Sequence, residues 1–368
     1  MSRRILLVTR GLDPVGTGRE VLLASRRLLE VGDDLHVAAI TQPGSVATEV
    51  AAGGGTLHAL SHRPRPDAAS IAALAQTIRR VRPRLVVSWG WSAWWVTGAA
   101  MAVHSRRRAP RWLGSVGRPT TPATPIARWA ARRLMRRCDL LLAATEGTSN
   151  ACRVLGAQAS RVRLCPPGVA EAVPAQLSRE AIAARLGLPL TTTWTLTVAP
   201  LVAHSKLSRL VWAADQLDVV LQGLTHVLVG AGPLASQFAR RARAQQAASR
   251  IHMLPACPEI HELLAHVRLV WQPGEAAYGG ILVDALAAGV PAVAVASDTT
   301  TSIIESSVTG QLVPADPPSE LPRRALPLLE DDDLHCRFAD ASRLRARESF
   351  PHGTTWLLQR TAISDLIG

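Results

Sequence analysis

Three short glycine-bearing segments are the first candidates for chemistry in this chain. They are Gly16-Thr17-Gly18, Gly230-Ala231-Gly232-Pro233 and Tyr278-Gly279-Gly280-Ile281, and each lies between an apolar run and an amphipathic stretch. A missing side chain lets a ligand approach exposed backbone N–H groups, and the N-terminus of a helix carries partial positive charge. One glycine at such a junction is often only turn geometry. Three such segments in one chain predict a ligand that carries phosphate.

The elements that must position these segments follow an α/β pattern. Short apolar runs such as Ile5–Thr9 and Leu140–Ala144 predict buried strands, and amphipathic stretches such as Ala68–Arg80 predict helices between them. The alternation occurs once in the first half of the chain and again from Thr193 onward, which predicts two parallel sheets with helices on both faces. Ligands bind at the carboxyl ends of the strands in such sheets, where the glycine segments fall.

Length and composition limit the classes of protein that fit. The 368 residues suggest two domains, and the 48% of hydrophobic residues exclude a disordered or fibrous chain. The five cysteines are scattered, so neither a disulfide framework nor a metal site is expected. No apolar run has the length of a signal peptide core or a membrane span. We therefore expect a cytoplasmic protein, with peripheral attachment to the inner face of the cell membrane left open.

The formal net charge of +13 is unevenly distributed. Residues 1–170 contain 25 Arg against 9 Asp and Glu, whereas residues 171–368 contain 16 Lys and Arg against 19 Asp and Glu. Lys206 is the single lysine of the chain. The basic first part indicates an anionic partner. A nucleic acid is not favoured, because the chain lacks basic and aromatic residues interleaved on a known nucleic-acid fold.

Several motifs have a distinctive order and spacing. They are Gly16–Glu20, Leu140–Glu146, Cys165-Pro-Pro-Gly-Val169, Val229-Gly-Ala-Gly-Pro-Leu234, the segment Tyr278–Val293 and Val308-Thr-Gly-Gln-Leu-Val-Pro314. Together they resemble retaining glycosyltransferases of the GT-B fold, and most of all family 4. The resemblance implies an α/β protein with two Rossmann-like, doubly wound domains that face each other across a cleft. It implies an acceptor domain over residues 1–171 and a donor domain over 172–349, with the C-terminal helix at about 350–368 packing back on the first.

The resemblance also implies an activity. A family member transfers a sugar from a nucleotide-diphospho sugar to a glycan or lipid-linked acceptor with retention of configuration. It is a hexosyltransferase-like enzyme that needs no metal and no cofactor beyond the donor substrate. Side chains and a helix N-terminus stabilise the leaving diphosphate as its charge develops.

The donor-site residues are carried over from the family motifs. Lys206 is expected to contact the diphosphate, Asp284 the ribose and Glu275 the reacting sugar, as the catalytic candidate. The helix N-terminus at Gly279, Gly280 and Ile281 is expected to face the phosphates. Six positions depart from the family pattern. Pro200 replaces an arginine, Ser205 the lysine and Ala276 the first glutamate, Asp284 replaces the second glutamate with a shorter carboxylate, and Trp89 and Gly117 replace histidines.

These departures leave two further interpretations open. One is a GT-B protein that has lost catalysis and acts as a binding or partner subunit. The other is nucleotide-sugar epimerisation on the same fold. Lys206 and Glu275 each lie one residue from the family position, and a loop can absorb such a shift, whereas a helix would rotate the side chain by about 100°.

The first domain contains the candidates for acceptor binding. The segment Gly16, Thr17 and Gly18 is expected to contact the acceptor or a phosphate, and Trp89 and Trp91 are expected to stack on a sugar or meet a lipid. The stretch Pro125–Arg137 predicts a helix with Ile126, Trp129, Ala130 and Leu134 on one stripe and arginines opposite. One candidate partner of this helix is an anionic membrane surface, which would contact Arg132, Arg133, Arg136 and Arg137. The alternative is a helix that packs on the core and exposes a basic face to water.

Overall fold

The fold described here is that of a computed structural model. The structure describes residues 2–12, 16–41, 43–44, 46–61, 67–104, 109–118, 120, 122–170, 176–276 and 278–368. The strands are β1 (Arg4–Thr9), β2 (Asp34–Ala39), β3 (Thr56–Ala59), β4 (Leu85–Trp89), β5 (Arg111–Val116), β6 (Leu140–Ala143), β7 (Val162–Leu164), β8 (Thr193–Val198), β9 (Leu224–Val229), β10 (Ile251–Leu254), β11 (Leu269–Gln272), β12 (Ala292–Val295) and β13 (Gly310–Val313). The helices are α1 (Thr17–Glu30), α2 (Ala47–Ala52), α3 (Ala68–Val81), α4 (Trp91–Ala102), α5 (Pro125–Met135), α6 (Glu146–Val154), α7 (Arg179–Leu186), α8 (Ser208–Val220), α9 (Ala235–Ala244), α10 (Ile260–Leu264), α11 (Gly280–Ala288), α12 (Asp298–Ile303), α13 (Glu320–Glu330), α14 (Asp332–Ser349) and α15 (Thr354–Ile367).

The chain divides into two compact units. Unit 1 comprises residues 1–167 and 353–368, and unit 2 comprises residues 168–352. The expected domain boundary, between residues 171 and 172, lies outside the described residues and close to the observed boundary between residues 167 and 168. Helix α15 belongs to unit 1, where it packs against β4 and β5. The Arg84 guanidinium donates to the Ile367 carbonyl at 2.5 Å, and Arg163 pairs with Asp365 at 2.6 Å.

Unit 1 is built on a parallel seven-stranded sheet in the order β3-β2-β1-β4-β5-β6-β7. The strands read as apolar runs because parallel strands are covered on their faces by helices. Buried side chains such as Leu6, Val86, Trp94 and Trp112 form its core. The strand order reverses between β1 and β4, so the loops that follow these two strands lie side by side at the carboxyl edge.

Unit 2 is built on a parallel six-stranded sheet in the order β10-β9-β8-β11-β12-β13. Its core contains Leu228, Leu269, Trp271 and Val293 from the strands, packed with residues of α8 and α13. The order reverses between β8 and β11. The two sheets with interleaved helices confirm the predicted two-domain Rossmann-like fold.

Most predicted elements are confirmed, with small differences at their ends. The predictions did not include β7, β13, α2, α6 or the helices α12 to α14. The helix predicted to reach Arg137 ends at Met135 as α5. Its start is well defined, because the Thr124 hydroxyl accepts the Ala127 N–H at 3.2 Å and Pro125 occupies the first turn. Within the described residues, no helix has the length and apolar character that crossing a membrane requires.

Candidate functional site

The strongest candidate site lies at the carboxyl edge of the sheet in unit 2, where the strand order reverses. Ligands of open α/β sheets bind at such switch points. The loop after β8 carries Lys206, and the loop after β11 carries Glu275. Since β8 and β11 are neighbours, the tertiary structure brings together two predicted residues that are 69 positions apart in the sequence.

Direct backbone contact joins these two loops. The Glu275 N–H donates to the His204 carbonyl at 3.4 Å. A Cβ at Gly274 would lie 2.5 Å from the Ser205 carbonyl oxygen, so only glycine allows this approach. The side chains of Lys206 and Glu275 are both exposed. A cation and a carboxylate are therefore presented to solvent from two loops that are packed together.

Lys206 has an unusual backbone conformation. Its φ is +50°, in the left-handed region that favours glycine. The residue before it, Ser205, is buried, and its hydroxyl donates to the Pro200 carbonyl at 2.6 Å. The left-handed turn thus places position 205 inside and the ammonium group of position 206 outside. The lysine is available in spite of its shift of one residue from the family position.

The loop after β9 completes this edge of unit 2. The Leu201 N–H donates to the Ala231 carbonyl at 3.0 Å, and the Leu234 N–H donates to the Leu201 carbonyl at 3.1 Å. The Gly230–Leu234 motif is therefore tied to the loop that carries Lys206. Two of the three glycine segments predicted from the sequence, those at 230–233 and 278–281, lie in unit 2.

Helix α11 begins directly after the loop that carries Glu275. Its N-cap is Gly279 with φ of +73°, where a Cβ would lie 2.3 Å from Ile303 Cδ1. No side chain among the described residues caps this helix, so Gly280 and Ile281 present backbone N–H groups at a positive helix end. Gly280 is buried and Ile281 is half-buried. The arrangement fits an anion at the end of α11.

Asp284 lies in the second turn of α11, and its expected contact with a ribose stays a prediction. Its side chain is buried, with 4% of the residue exposed, and Oδ1 accepts the Ala170 N–H at 3.0 Å. One carboxylate oxygen is therefore engaged in holding the segment at the start of unit 2. A ribose could use only the remaining capacity of this carboxylate.

Arg209 is a cation of this site that the sequence motifs do not identify. It lies in the first turn of α8, and its Nη1 donates to the Pro273 carbonyl at 3.2 Å. Its Nη2 lies 3.7 Å from Asp316 Oδ1, in the loop after β13. The guanidinium group thus fixes the loop that leads to Glu275. Its spacing of three residues from Lys206, at the start of a helix, is the signal that could have identified it.

The switch point of unit 1 carries the third glycine segment. Gly16, with φ of +56°, precedes α1, and Thr17 and Gly18 form its first turn. A Cβ at Gly90 in the loop after β4 would lie 2.8 Å from Thr17 Cγ2, so these two loops are in contact. Their place at the carboxyl edge fits ligand binding, and the assignment of an acceptor to them stays a prediction.

The two tryptophans assigned to acceptor binding differ in accessibility. Trp89 is buried, with 3% exposed, so its ring is not presented for stacking, contrary to the expectation. Trp91 is half-buried and stacks on Trp94 with 4.8 Å between ring centroids. Trp91 alone retains a surface that a ligand could contact.

The apolar stripe expected on α5 is wrong in part, because Leu134 is buried whereas Ile126 and Trp129 are not. The side chains of α5 that face the core are Ala131, Leu134 and Met135. Ile126 and Trp129 are instead 80% and 64% exposed. They share the outer face with the exposed side chains of Arg132, Arg133 and Arg136. Arg137 is half-buried, and its guanidinium donates to the Met101 carbonyl at 3.2 Å.

The cysteines do not supply a nucleophile at this edge. Burial, with a smaller contribution from the nearby Glu20 carboxylate, raises the pKa of the Cys165 thiol to about 12. Burial has the same effect on the pKa values of Cys152 and Cys257, each raised to about 12. Among the described residues, no cluster of His, Cys, Asp or Glu could hold a metal ion.

Two family models match the chain. Residues 178–345 match the model of glycosyl transferases group 1, and residues 15–173 match that of glycosyltransferase family 4. A comparison with curated proteins gives no match.

Solved structures share the fold over nearly the whole chain. A glycosyltransferase from Rickettsia africae is 12% identical, with a TM-score of 0.75, over 100% of this chain and 99% of its own. HepE of Anabaena, crystallised with UDP and glucose, is 16% identical, with a TM-score of 0.79, over 99% and 100%. WaaG, a glycosyltransferase involved in lipopolysaccharide biosynthesis, is 15% identical, with a TM-score of 0.75, over 99% of each chain.

Fold and motifs together define the class of this protein. It is a protein of two Rossmann-like units with the GT-B fold of glycosyltransferases. The two family matches adjoin and cover most of the chain, so it resembles the group 1 glycosyltransferases of family 4 along most of its length.

Proposed function

We propose that this protein transfers a sugar from a nucleotide-diphospho sugar to a glycan or lipid-linked acceptor, with retention of configuration. The observation that carries the proposal is the switch point of unit 2. There Lys206 and Glu275 extend from loops in backbone contact, and the N-terminus of α11, which no described side chain caps, follows the loop of Glu275. Unit 2 contains fewer basic than acidic residues. Individual side chains and backbone N–H groups at this site, rather than a net positive charge of the unit, must therefore bind the donor.

Each group has a role in the proposed reaction. The Lys206 ammonium and the N–H groups of Gly280 and Ile281 bind the diphosphate, whose charge increases as the bond to the sugar breaks. Glu275 binds the sugar hydroxyls and holds the ring in place. Asp284 positions the segment at Ala170 and contacts the ribose with its second oxygen.

The proposed chemistry needs no further co-reactant. The bond between the anomeric carbon and the donor phosphate oxygen breaks, and the diphosphate takes the electron pair. The acceptor hydroxyl attacks the same face of the sugar and forms the new glycosidic bond. Its proton passes to a phosphate oxygen of the leaving diphosphate. The configuration at the anomeric carbon is retained, because the diphosphate leaves from the same face of the sugar that the acceptor hydroxyl attacks.

The related structures support the choice of substrates. HepE was crystallised with UDP and glucose, which makes a uridine donor the first one to test. WaaG is involved in lipopolysaccharide biosynthesis, which supports a glycan or lipid-linked acceptor. In this chain the acceptor would meet unit 1, at the Gly16–Gly18 segment and Trp91.

A catalytically inactive subunit that binds nucleotide is the second candidate. Ala276 and Pro200 occupy family positions for a glutamate and an arginine. The engagement of Asp284 by the Ala170 N–H favours it as well, because it reduces the capacity left for a ribose. This candidate predicts nucleotide binding without turnover.

One experiment separates these candidates. Thermal unfolding and calorimetry of the full chain with uridine, guanosine and adenosine diphosphates and their sugar conjugates test donor binding.

Because Lys206 is the only lysine, an acylating reagent can modify a single ε-amine. Protection of that amine by the bound nucleotide, measured by mass spectrometry with the N-terminal amine as reference, is the expected result. Slow hydrolysis of the bound nucleotide sugar indicates an enzyme. Equal acylation with and without the bound nucleotide excludes the proposed site.

A further inference from the structure

The outer face of α5 in unit 1 exposes large apolar side chains. Ile126 is 80% exposed and Trp129 is 64% exposed, one helical turn apart. The opposite face of the helix buries Ala131 and Leu134, so α5 is anchored to unit 1 while Ile126 and Trp129 are in contact with solvent. Burying such side chains is favourable, and exposed apolar side chains that lie among cationic ones are typical of an interaction surface.

Arginines surround this apolar pair. Arg132, Arg133 and Arg136 are exposed on the same face, and the Arg133 guanidinium carbon lies 5.9 Å from the centre of the Trp129 ring. Within the described residues, none of these three arginines forms an ion pair with an acidic side chain. The stretch of residues 68–138 contains 14 Arg and no Asp or Glu. The charge of the surface is therefore not neutralised locally.

We propose that this α5 face binds an anionic lipid membrane, with Ile126 and Trp129 inserted among the headgroups and the three arginines on lipid phosphates. Apolar and cationic groups on one helix face fit the membrane interface, where the lipid tails take the first and anionic headgroups the second. Tryptophan is suited to this boundary because its ring is apolar and its N–H polar. A soluble polyanion would satisfy the arginines and leave Ile126 and Trp129 in water.

Ile126 and Trp129 lie on a different side of α5 from the one that the sequence predicted. The sequence predicted that Ile126 and Trp129 lie opposite the arginines. The structure places them among the arginines, so one face contains both forces that hold a peripheral protein on a membrane. Membrane binding rests on the proposed function only for its purpose, which is to bring unit 1 to a lipid-linked acceptor.

Vesicle sedimentation of the full chain tests this surface. The probes are vesicles of phosphatidylcholine alone and of equal parts phosphatidylcholine and phosphatidylglycerol. The wild-type protein is expected to bind the anionic vesicles and to dissociate as the salt concentration rises. The double variant Ile126→Ser with Trp129→Ser is expected to lose at least about tenfold in affinity. The triple variant Arg132→Glu, Arg133→Glu and Arg136→Glu is expected not to bind.

A matched control uses exposed apolar residues elsewhere. Val219 and Val220 are 81% and 60% exposed at the end of α8 in unit 2, and Val219→Ser with Val220→Ser is expected to bind as the wild type does. Equal binding to both kinds of vesicle would overturn the proposal, as would unchanged binding of the Ile126 and Trp129 variant. All variants must keep the wild-type unfolding midpoint and affinity for nucleotide. Vesicle binding without nucleotide binding would refute the proposed function and leave this surface supported.

Discussion

Replacing Lys206 with glycine separates stability from ligand binding. An L-residue in the left-handed region costs about 1–2 kcal/mol, and Lys206 has φ of +50°. Glycine removes that cost but loses about 0.5–1 kcal/mol through the greater entropy of the unfolded chain. The net expectation for Lys206→Gly is a protein more stable by about 0.5–1 kcal/mol.

The same substitution removes the only ammonium group of the site. A hydrogen bond to a charged group contributes about 1.5–3 kcal/mol, and 1.4 kcal/mol corresponds to a factor of ten. The affinity for a nucleoside diphosphate is therefore expected to fall about 10- to 100-fold. Urea unfolding measures the first quantity and calorimetry the second. A fold defect cannot explain a loss of binding in a protein that has become more stable.

Gln246 provides a matched control for the backbone effect. It is exposed after α9 with φ of +53°, so Gln246→Gly is expected to stabilise the protein to a similar extent and leave nucleotide binding unchanged. Binding by Lys206→Gly within about twofold of the wild type would refute the assignment of this lysine to the diphosphate. So would an equal loss in the Gln246 variant, because the effect would then not be specific to the site.

Three further outcomes follow from the same geometry. Glu275→Gln is expected to keep nucleotide affinity and lower kcat at least about 100-fold, measured as sugar transfer or hydrolysis; an unchanged kcat would contradict its role. Gly274→Ala is expected to lower stability by about 1–3 kcal/mol, because the new Cβ would meet the Ser205 carbonyl. It is also expected to weaken nucleotide binding, because it separates the loops of Lys206 and Glu275. Wild-type stability and wild-type binding would show that this contact can relax. Burial lowers the pKa of His226 to about 4, so the unfolded chain binds a proton at this residue at higher pH than the folded chain does. The free energy of unfolding is therefore expected to fall by up to about 3 kcal/mol as the pH drops from about 6.5 to about 4. Urea unfolding across this range is expected to show a flatter acid limb in His226→Leu, and equal slopes in both proteins would disprove it.

The fold could be predicted from the sequence because its signals are local. Apolar runs separated by amphipathic stretches identified most strands of both sheets, and the glycine motifs marked the turns that follow them. The short elements were missed for a physical reason. A three-residue strand such as β7 (Val162–Leu164) is too short for a hydrophobic period, and its place depends on pairing with β6.

The candidate site could be predicted in part. The sequence identified Lys206, Glu275 and the start of α11 as candidates, since the motifs fix their order along the chain. It could not show that Asp284 accepts a hydrogen bond from Ala170, 114 positions away, or that Trp89 is buried. Such contacts depend on which loops the sheet order places side by side.

By itself, the sequence determined the alternation of strands and helices, the resemblance to group 1 glycosyltransferases and the concentration of arginine in the first half. Only the tertiary structure decided which of these residues act together. The neighbouring positions of β8 and β11 bring the loops of Lys206 and Glu275 into contact. The orientation of α5 on its core buries Leu134 and turns Ile126 and Trp129 outward, because a helix buries the side that its neighbours can cover. Periodicity gives the spacing of a stripe, whereas the packing partners decide which side is buried.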